Sequence, residues 1–293
     1  KEKVKVGGYV NYTPTSATIQ TDPSKTGYST KETLTTVTNA KWRILSIDEN
    51  TGKVLITTQG PVNKVTLQGA TGYLFGANEL HRLCEKLYSN TDKGLVARSM
   101  TIEDLNEATG YIEPTDNLRY AWYTNDATEE DLKDVKIGEK VYTARRHTKT
   151  FVHQIDRPRF YTWDDERGIT HTSSKVNEYK DDISNTKPIL VSRTYYCYNP
   201  GYMIINNILG GDNEHRGWLA SSYVYSHENI EYVHFGMYFA RSGIVDGFSL
   251  YDSNDNIGIP SYGIRPVIQF SINRLDISDT SKTGTETAPW EIK

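Results

Sequence analysis

Seven histidines (His81, His147, His153, His171, His215, His227 and His234) and two cysteines (Cys84 and Cys197) are the residues from which metal or nucleophilic chemistry would have to come. Zinc sites need closely spaced ligands, as in HExxH or paired Cys/His runs, and the chain has neither. It also lacks a GxSxG or P-loop signature, and Gly210-Gly211 reads as a helix stop. Two segments rich in Asp and Asn, Gly211 to Glu214 and Asp252 to Asn256, could be imagined around calcium, but those residues favour turns for backbone reasons. What remains is recognition. Tyr223, Tyr225, His227, Asn229, Tyr232, His234, Tyr238, Asp246, Phe248, Tyr251, Asp252 and Asn254 recur at short intervals. Tyr offers contact area at low entropy cost, and small polar neighbours adapt their hydrogen bonds. The residues therefore predict a binding surface with no enzyme activity, no metal and no cofactor.

The elements that must hold this surface lie in a terminal all-β block over residues 217–270. Val233, Phe235, Met237 and Phe239 alternate with His234, Gly236, Tyr238 and Ala240, which predicts a strand with one face on a core and one face free. Arg265, between Ile264 and Pro266 in a closing strand, is expected to be buried against a carboxylate or carbonyl. Upstream, Lys3 to Tyr12 reads as an opening strand with a bulge at its Gly pair. Lys41 to Ile47 and Lys53 to Thr58 read as a hairpin turned at Asn50 to Gly52. Leu80, Leu83, Cys84 and Leu87 form a helical stripe over Ala77 to Tyr88, and Thr101 reads as the cap of a second helix. Lys187 to Tyr198 has strand character, Tyr202 to Leu209 that of a short helix, and Ser278 to Pro289 is a solvated turn before Trp290 to Ile292 closes the sheet. Residues 110–186 offer charged loops and short aromatic pieces without a linker, and read as a large irregular insertion in a single domain of residues 1–293.

The whole chain bounds these readings. With 293 residues it can bury a substantial core, and a net charge of -4 argues against nucleic-acid binding, which needs a basic face. The excess of Tyr (21, against 7 Phe and 5 Trp) favours a β-rich protein with amphipathic surfaces. Both cysteines read as small buried side chains, with a disulfide as the alternative. No apolar run reaches the roughly 18 residues of a membrane span, and Lys1 does not open a signal peptide. Membrane attachment is expected only through an anchor outside these residues.

Several pieces in order, VKVGGYVNYTP, KWRILSI, LQGATGY, ARSM followed by TIEDL, TYYCYN, WLASSYVY, FGMYFARSGIV and YGIRPVIQF, resemble surface proteins of Gram-positive gut bacteria. The terminal block resembles the C-type-lectin-like fold, in the branch shared with formylglycine-generating enzymes and with the variable proteins of diversity-generating retroelements. That resemblance implies an α+β chain with antiparallel sheets and two or three flanking helices, displayed on the cell surface. It implies a ligand face between Ser222 and Tyr262 whose exposed positions vary, while Trp218, Gly236, Gly243 and Gly263 to Pro266 hold the fold. Retroelement diversification starts from Asn codons and cannot reach Lys, Glu, Gln, Met or Trp. Between Ser222 and Tyr262 only Glu228, Glu231 and Met237 belong to that set. The formylglycine-generating branch needs a reactive cysteine pair in its terminal domain, which this block lacks. The expected partner is a protein or glycan on another cell, phage or host surface. A fixed-specificity carbohydrate-binding module and a structural or pilus-associated protein are the alternatives.

Overall fold

The computed structural model describes residues 4–110, 119–123, 127–137, 140–146, 162–164, 168–170, 189–192, 208–209, 216–225, 234–241, 244–250 and 259–293. The first part of the chain supplies β1 (Tyr9–Asn11), β2 (Thr18–Gln20), α1 (Pro23–Thr26), β3 (Thr33–Thr35), β4 (Trp42–Asp48), β5 (Lys53–Thr58), β6 (Val62–Thr66), α2 (Gly69–Tyr88), β7 (Ala97–Ser99) and α3 (Ile102–Thr109). The central part holds β8 (Arg119–Tyr123), β9 (Val135–Ile137), β10 (Lys140–Arg146), β11 (Thr162–Asp164), β12 (Gly168–Thr170) and β13 (Ile189–Ser192). The terminal part holds β14 (Gly217–Tyr225), β15 (His234–Arg241), β16 (Ile244–Ser249), β17 (Ser261–Ile264), β18 (Pro266–Ser271) and β19 (Trp290–Glu291). The chain is therefore α+β and mostly sheet.

Two larger sheets organise it. One runs β19-β1-β4-β5-β18-β7 and the other β16-β15-β14-β17-β6. The expected hairpin is β4 and β5, and its turn is fixed by Asp48, whose Oδ1 accepts from the amides of Asn50 (2.9 Å) and Thr51 (3.3 Å). Gly52 then takes a φ of 69°, which a β-carbon would oppose. Trp290 and Glu291 close the first sheet by pairing in parallel with Val10 and Asn11. The Gly pair at positions 7 and 8 is not a bulge inside the opening strand. It forms the turn before β1, where the Arg43 guanidinium donates to the Gly7 carbonyl.

Helix α2 begins eight residues earlier than its apolar stripe predicts. Its first half is built on small residues because it crosses other backbone closely: a β-carbon on Gly72 would lie 2.8 Å from the Thr26 carbonyl. Helix α3 starts at the expected Thr101, in a capping box completed by Asp104. The central segment is less irregular than its composition suggests. Strands β13-β8-β10-β9 form a sheet, and Ala121, Tyr123, Ala127 and Tyr142 are buried in the main core. Of the expected helix over Tyr202 to Leu209 only Ile208 and Leu209 are described, both helical and buried, and most of Lys187 to Tyr198 lies outside the described residues.

Two buried clusters sandwich the five-stranded sheet. The larger joins Tyr12, Trp42, Tyr88, Leu83 and Cys84 to Trp218, Met237 and Phe239. The smaller joins Leu45, Met100, Ile102 and Leu105 to Leu219, Ala240 and Val245. Adjacent residues of β14 point to opposite layers: the Ser222 hydroxyl donates to the Tyr73 carbonyl of α2 (3.3 Å), whereas the Ser221 hydroxyl accepts from the Ile102 amide of α3 (3.0 Å).

Candidate functional site

The terminal block rests on a few buried groups at the start of β14. Trp218 is fully buried and its indole N–H donates to the Val65 carbonyl at 2.8 Å, tying β14 to β6 across β17. Tyr262 packs on Trp218 (ring centroids 4.6 Å) and on Phe239 (5.1 Å). Arg216 lies over the Phe239 and Tyr262 rings and donates to the Tyr262 hydroxyl at 3.1 Å, a cation–π clamp across the edge of the cluster. This Arg216–Tyr262 pair carries no sequence signal, because its members lie 46 residues apart.

Arg265 is completely buried and its Nη1 donates to the Leu209 carbonyl at 3.2 Å, which is the carbonyl alternative of the sequence expectation. Burial pulls its pKa down to about 9, so it stays charged at neutral pH. Its stem runs over Gly217, where a β-carbon would stand 2.3 Å from Nε. Gly217 pairs with Gly263, whose own β-carbon would meet the Pro61 side chain at 2.5 Å. These glycines are required by close approach, not by turn geometry.

Register then places the candidate residues. Tyr223 stands opposite Gly236 and Tyr225 opposite His234, while Tyr238 stands opposite Gly247 and Phe239 opposite Asp246. Strand alternation puts positions 223, 225, 234 and 238 on the α3 side of the sheet, with Leu219 and Ala240. Positions 246 and 248 fall on the α2 side, with Met237 and Phe239. The twelve residues therefore do not share one face. Phe248 is half-buried and meets Tyr262 edge-on at 5.8 Å. His227, Asn229, Tyr232, Tyr251, Asp252 and Asn254 lie outside the described residues, as do Gly243, Cys197 and both segments considered for calcium.

The flat of the sheet is not free in the way the alternation predicts. Gly236 and Ala240, both on the supposedly open face of β15, are buried. A glycine has no side chain of its own to hide its backbone, so a buried glycine within a sheet is covered from both sides. Ala240 is covered by the cluster around α3, and strands β12 and β13 of the central segment lie against β14. Alternation failed as a guide here because both faces of the strand are packed, a state that period-2 reasoning assigns to continuous apolar runs.

What stays together is one end of the β14-β15-β16 unit. The β14–β15 connection leaves at Tyr225 and returns at His234, directly opposite. Strand β16 runs back to the same end, with Ser249 opposite Gly236. The Leu250 carbonyl accepts from the Gly69 amide (2.9 Å), so the first residue of α2 sits there too. Residues 226–233 and 251–258 therefore depart from one place, and they contain six of the candidate residues.

No known family's profile matches the chain, and no curated protein or solved structure is significantly similar to it. Among the described residues no group of three His, Cys, Asp or Glu side chains could hold a metal ion. Cys84 is a free thiol, wholly buried on α2, and burial raises its pKa far above the ordinary thiol value. No helix among the described residues is long and apolar enough to cross a membrane. A shallow cleft of about 420 Å³ lies between Val37 to Lys41 and Gln59 to Val62, far in sequence from the terminal block.

Proposed function

We propose that the chain is a non-catalytic binding protein of the extracellular cell surface, with a C-type-lectin-like fold and a ligand surface at the end of β14-β15-β16. The observation that carries this reading is the common departure point of residues 226–233 and 251–258 from strands in which Trp218, Leu219, Met237, Phe239, Ala240 and Val245 are buried. The two connections, rich in Tyr, His, Asn and Asp in sequence, leave from one end of that sheet, and on this reading their residues change with little effect on stability. Substitutions at exposed positions usually cost under about 0.5 kcal/mol, whereas buried ones cost several times more. The resemblance to variable proteins of diversity-generating retroelements supplies the reason for such a division. The ligand is a protein or glycan on another surface, gripped at that end by Tyr225, His227, Asn229, Tyr232, His234, Tyr251, Asp252 and Asn254 with the aromatic ones as anchors, while Tyr223, Tyr238 and Asp246 stand further along the strands. Phe248, engaged on Tyr262, belongs to the support.

The test is deep sequencing of this gene in its source population. Changes should concentrate in codons 222–262 and, within them, spare Ser222, Met237, Phe239, Ala240 and Val245, which are buried. A segment as uniform as the rest of the gene would end the diversification reading and favour a fixed-specificity lectin-like module.

A further inference from the structure

Helix α2 closes the open side of β7 with two side chains. Strand β7 ends the six-stranded sheet and pairs only with β18, so the amides on its other side need acceptors from elsewhere. The Ser89 hydroxyl accepts from the Ala97 amide at 2.9 Å, and the His81 Nδ1 accepts from the Ser99 amide at 3.2 Å. A peptide N–H can only donate, so the second contact requires a neutral imidazole with Nδ1 unprotonated and the proton on Nε2. Ser99 is completely buried, whereas His81 is half-buried and within reach of solvent. The same stretch seats β14. The Met100 amide donates to the Arg265 carbonyl (2.7 Å), and the Met100 carbonyl accepts from the Ala220 amide (2.8 Å). The Ile102 amide donates to the Ser221 hydroxyl at 3.0 Å. Residues 97–102 are thus a strap with His81 at one end and β14 at the other.

We infer that His81 is an acid-sensitive latch on this strap. A second proton on the imidazole sets a donor at Nδ1 against the Ser99 donor, and a buried amide without an acceptor is costly. Ser99 must then part from α2 to reach water, and the seating of β14 through Met100 and Ile102 loosens with it. A bond made only by the neutral ring contributes stability above about pH 6.5, the ordinary histidine value, and loses it as pH falls. The acidic and basic groups on the main elements packed against α2 are Asp22 and Lys25 at α1, Arg98 on β7, and His234 and Arg241 on β15; β2, β14 and β18 carry none. Arg98, next to Ser99, is already held by Asp104 of α3, with Glu103 and Glu107 near it. On α2 itself Glu79 is taken by Arg82, Glu85 and Lys86 are exposed, and the buried Cys84 thiol is un-ionised. The latch acts on the seating of β14 whatever the chain binds.

Hydrogen exchange of the whole purified chain tests this, read by mass spectrometry on peptides spanning residues 97–102 at neutral pH and at about pH 5, with the intrinsic pH dependence of exchange removed. Protection of that stretch should fall about tenfold in acid, the equivalent of about one hydrogen bond. His81→Asn supplies an acceptor oxygen that does not titrate, and should hold the same protection at both values. Nitrogen chemical shifts of the His81 ring give an independent reading on the unsubstituted chain: at neutral pH they should report the proton on Nε2. Undiminished protection in acid, an equal fall in His81→Asn, or a proton on Nδ1 at neutral pH overturns the inference.

Discussion

Replacing Gly217 by Ala tests whether the terminal block is held by close approach of Arg265. The added β-carbon would stand 2.3 Å from Nε, 2.8 Å from Cγ and 2.9 Å from Cδ of a side chain with no exposed surface into which to retreat. Relief needs movement of β14 away from β17 or loss of the Arg265 bond to the Leu209 carbonyl. Overpacking alone costs about 1–3 kcal/mol, and a lost hydrogen bond from a charged donor about 1.5–3 kcal/mol. We expect Gly217→Ala to destabilise the chain by about 3 kcal/mol, the clash being met partly by each route. Arg265→Ala removes Nε, Cγ and Cδ together, so in that background Gly217→Ala should cost under about 1 kcal/mol, a coupling of about 2 kcal/mol. Urea unfolding followed by tryptophan fluorescence reads the cycle, since Trp42, Trp218 and Trp290 are all buried. Two substitutions that add to within about 0.5 kcal/mol would refute the argument, because groups that do not touch are additive.

Other consequences follow from the same contacts. Trp218→Phe keeps most of the ring but strands the buried Val65 carbonyl, and should lower stability by about 2 kcal/mol in the same urea assay. Asp104→Ala removes both the capping box of α3 and the paired contacts to Arg98 (2.5 and 2.6 Å), at a cost of about 2 kcal/mol, with Arg98 partly exposed and its share correspondingly small. Acid should weaken the fold: Asp22, Asp48, Asp131, Asp276 and Asp279 are each held below the usual carboxylate pKa, first of all by a neighbouring Ser or Thr hydroxyl. Depressed folded values give stability that is present above about pH 4 and is lost as pH falls through them, so thermal melts should drop below about pH 4. Glu103, raised by burial, acts in the opposite sense, its contribution being lost as pH rises, and Glu103→Gln should make the acid-side drop larger.

The local signals were legible in the sequence and the layered ones were not. The β4–β5 turn, the Thr101 cap and the closing Trp290 strand each depend on residues within a few positions of one another, and each lies where the pattern puts it. The start of α2 was hidden because Gly69, Gly72 and Gly76 weaken a helical pattern; Gly69 takes a positive φ, Gly72 makes room for the Thr26 carbonyl, remote in sequence, and Gly76 for the Leu67 side chain. The sheet in the central segment was hidden for a related reason. Strand β8 pairs with β13 from far along the chain, and pieces such as RYAWYT carry too few residues to show a period alone. At the site, the Tyr, His and Asn run was visible by composition, but its division between two faces depends on which helix covers which side.

That division changes what the site can be. A ligand resting on the flat of β14-β15 would need Gly236 and Ala240 open, and both are buried. The proposed ligand surface is therefore assigned to the place where Tyr225, His234 and Ser249 bring three strand ends together, beside the first residue of α2. The strands that lead to this end are pinned by Trp218, Arg216 on Tyr262, and Gly217 under Arg265. On the proposed function, a change at the tip alters what is bound, and a change at the pins alters whether the block folds. Pairing Tyr225→Ala with Trp218→Phe in one stability series separates the two, since only the second should move the urea midpoint by more than about 0.5 kcal/mol in equivalent free energy.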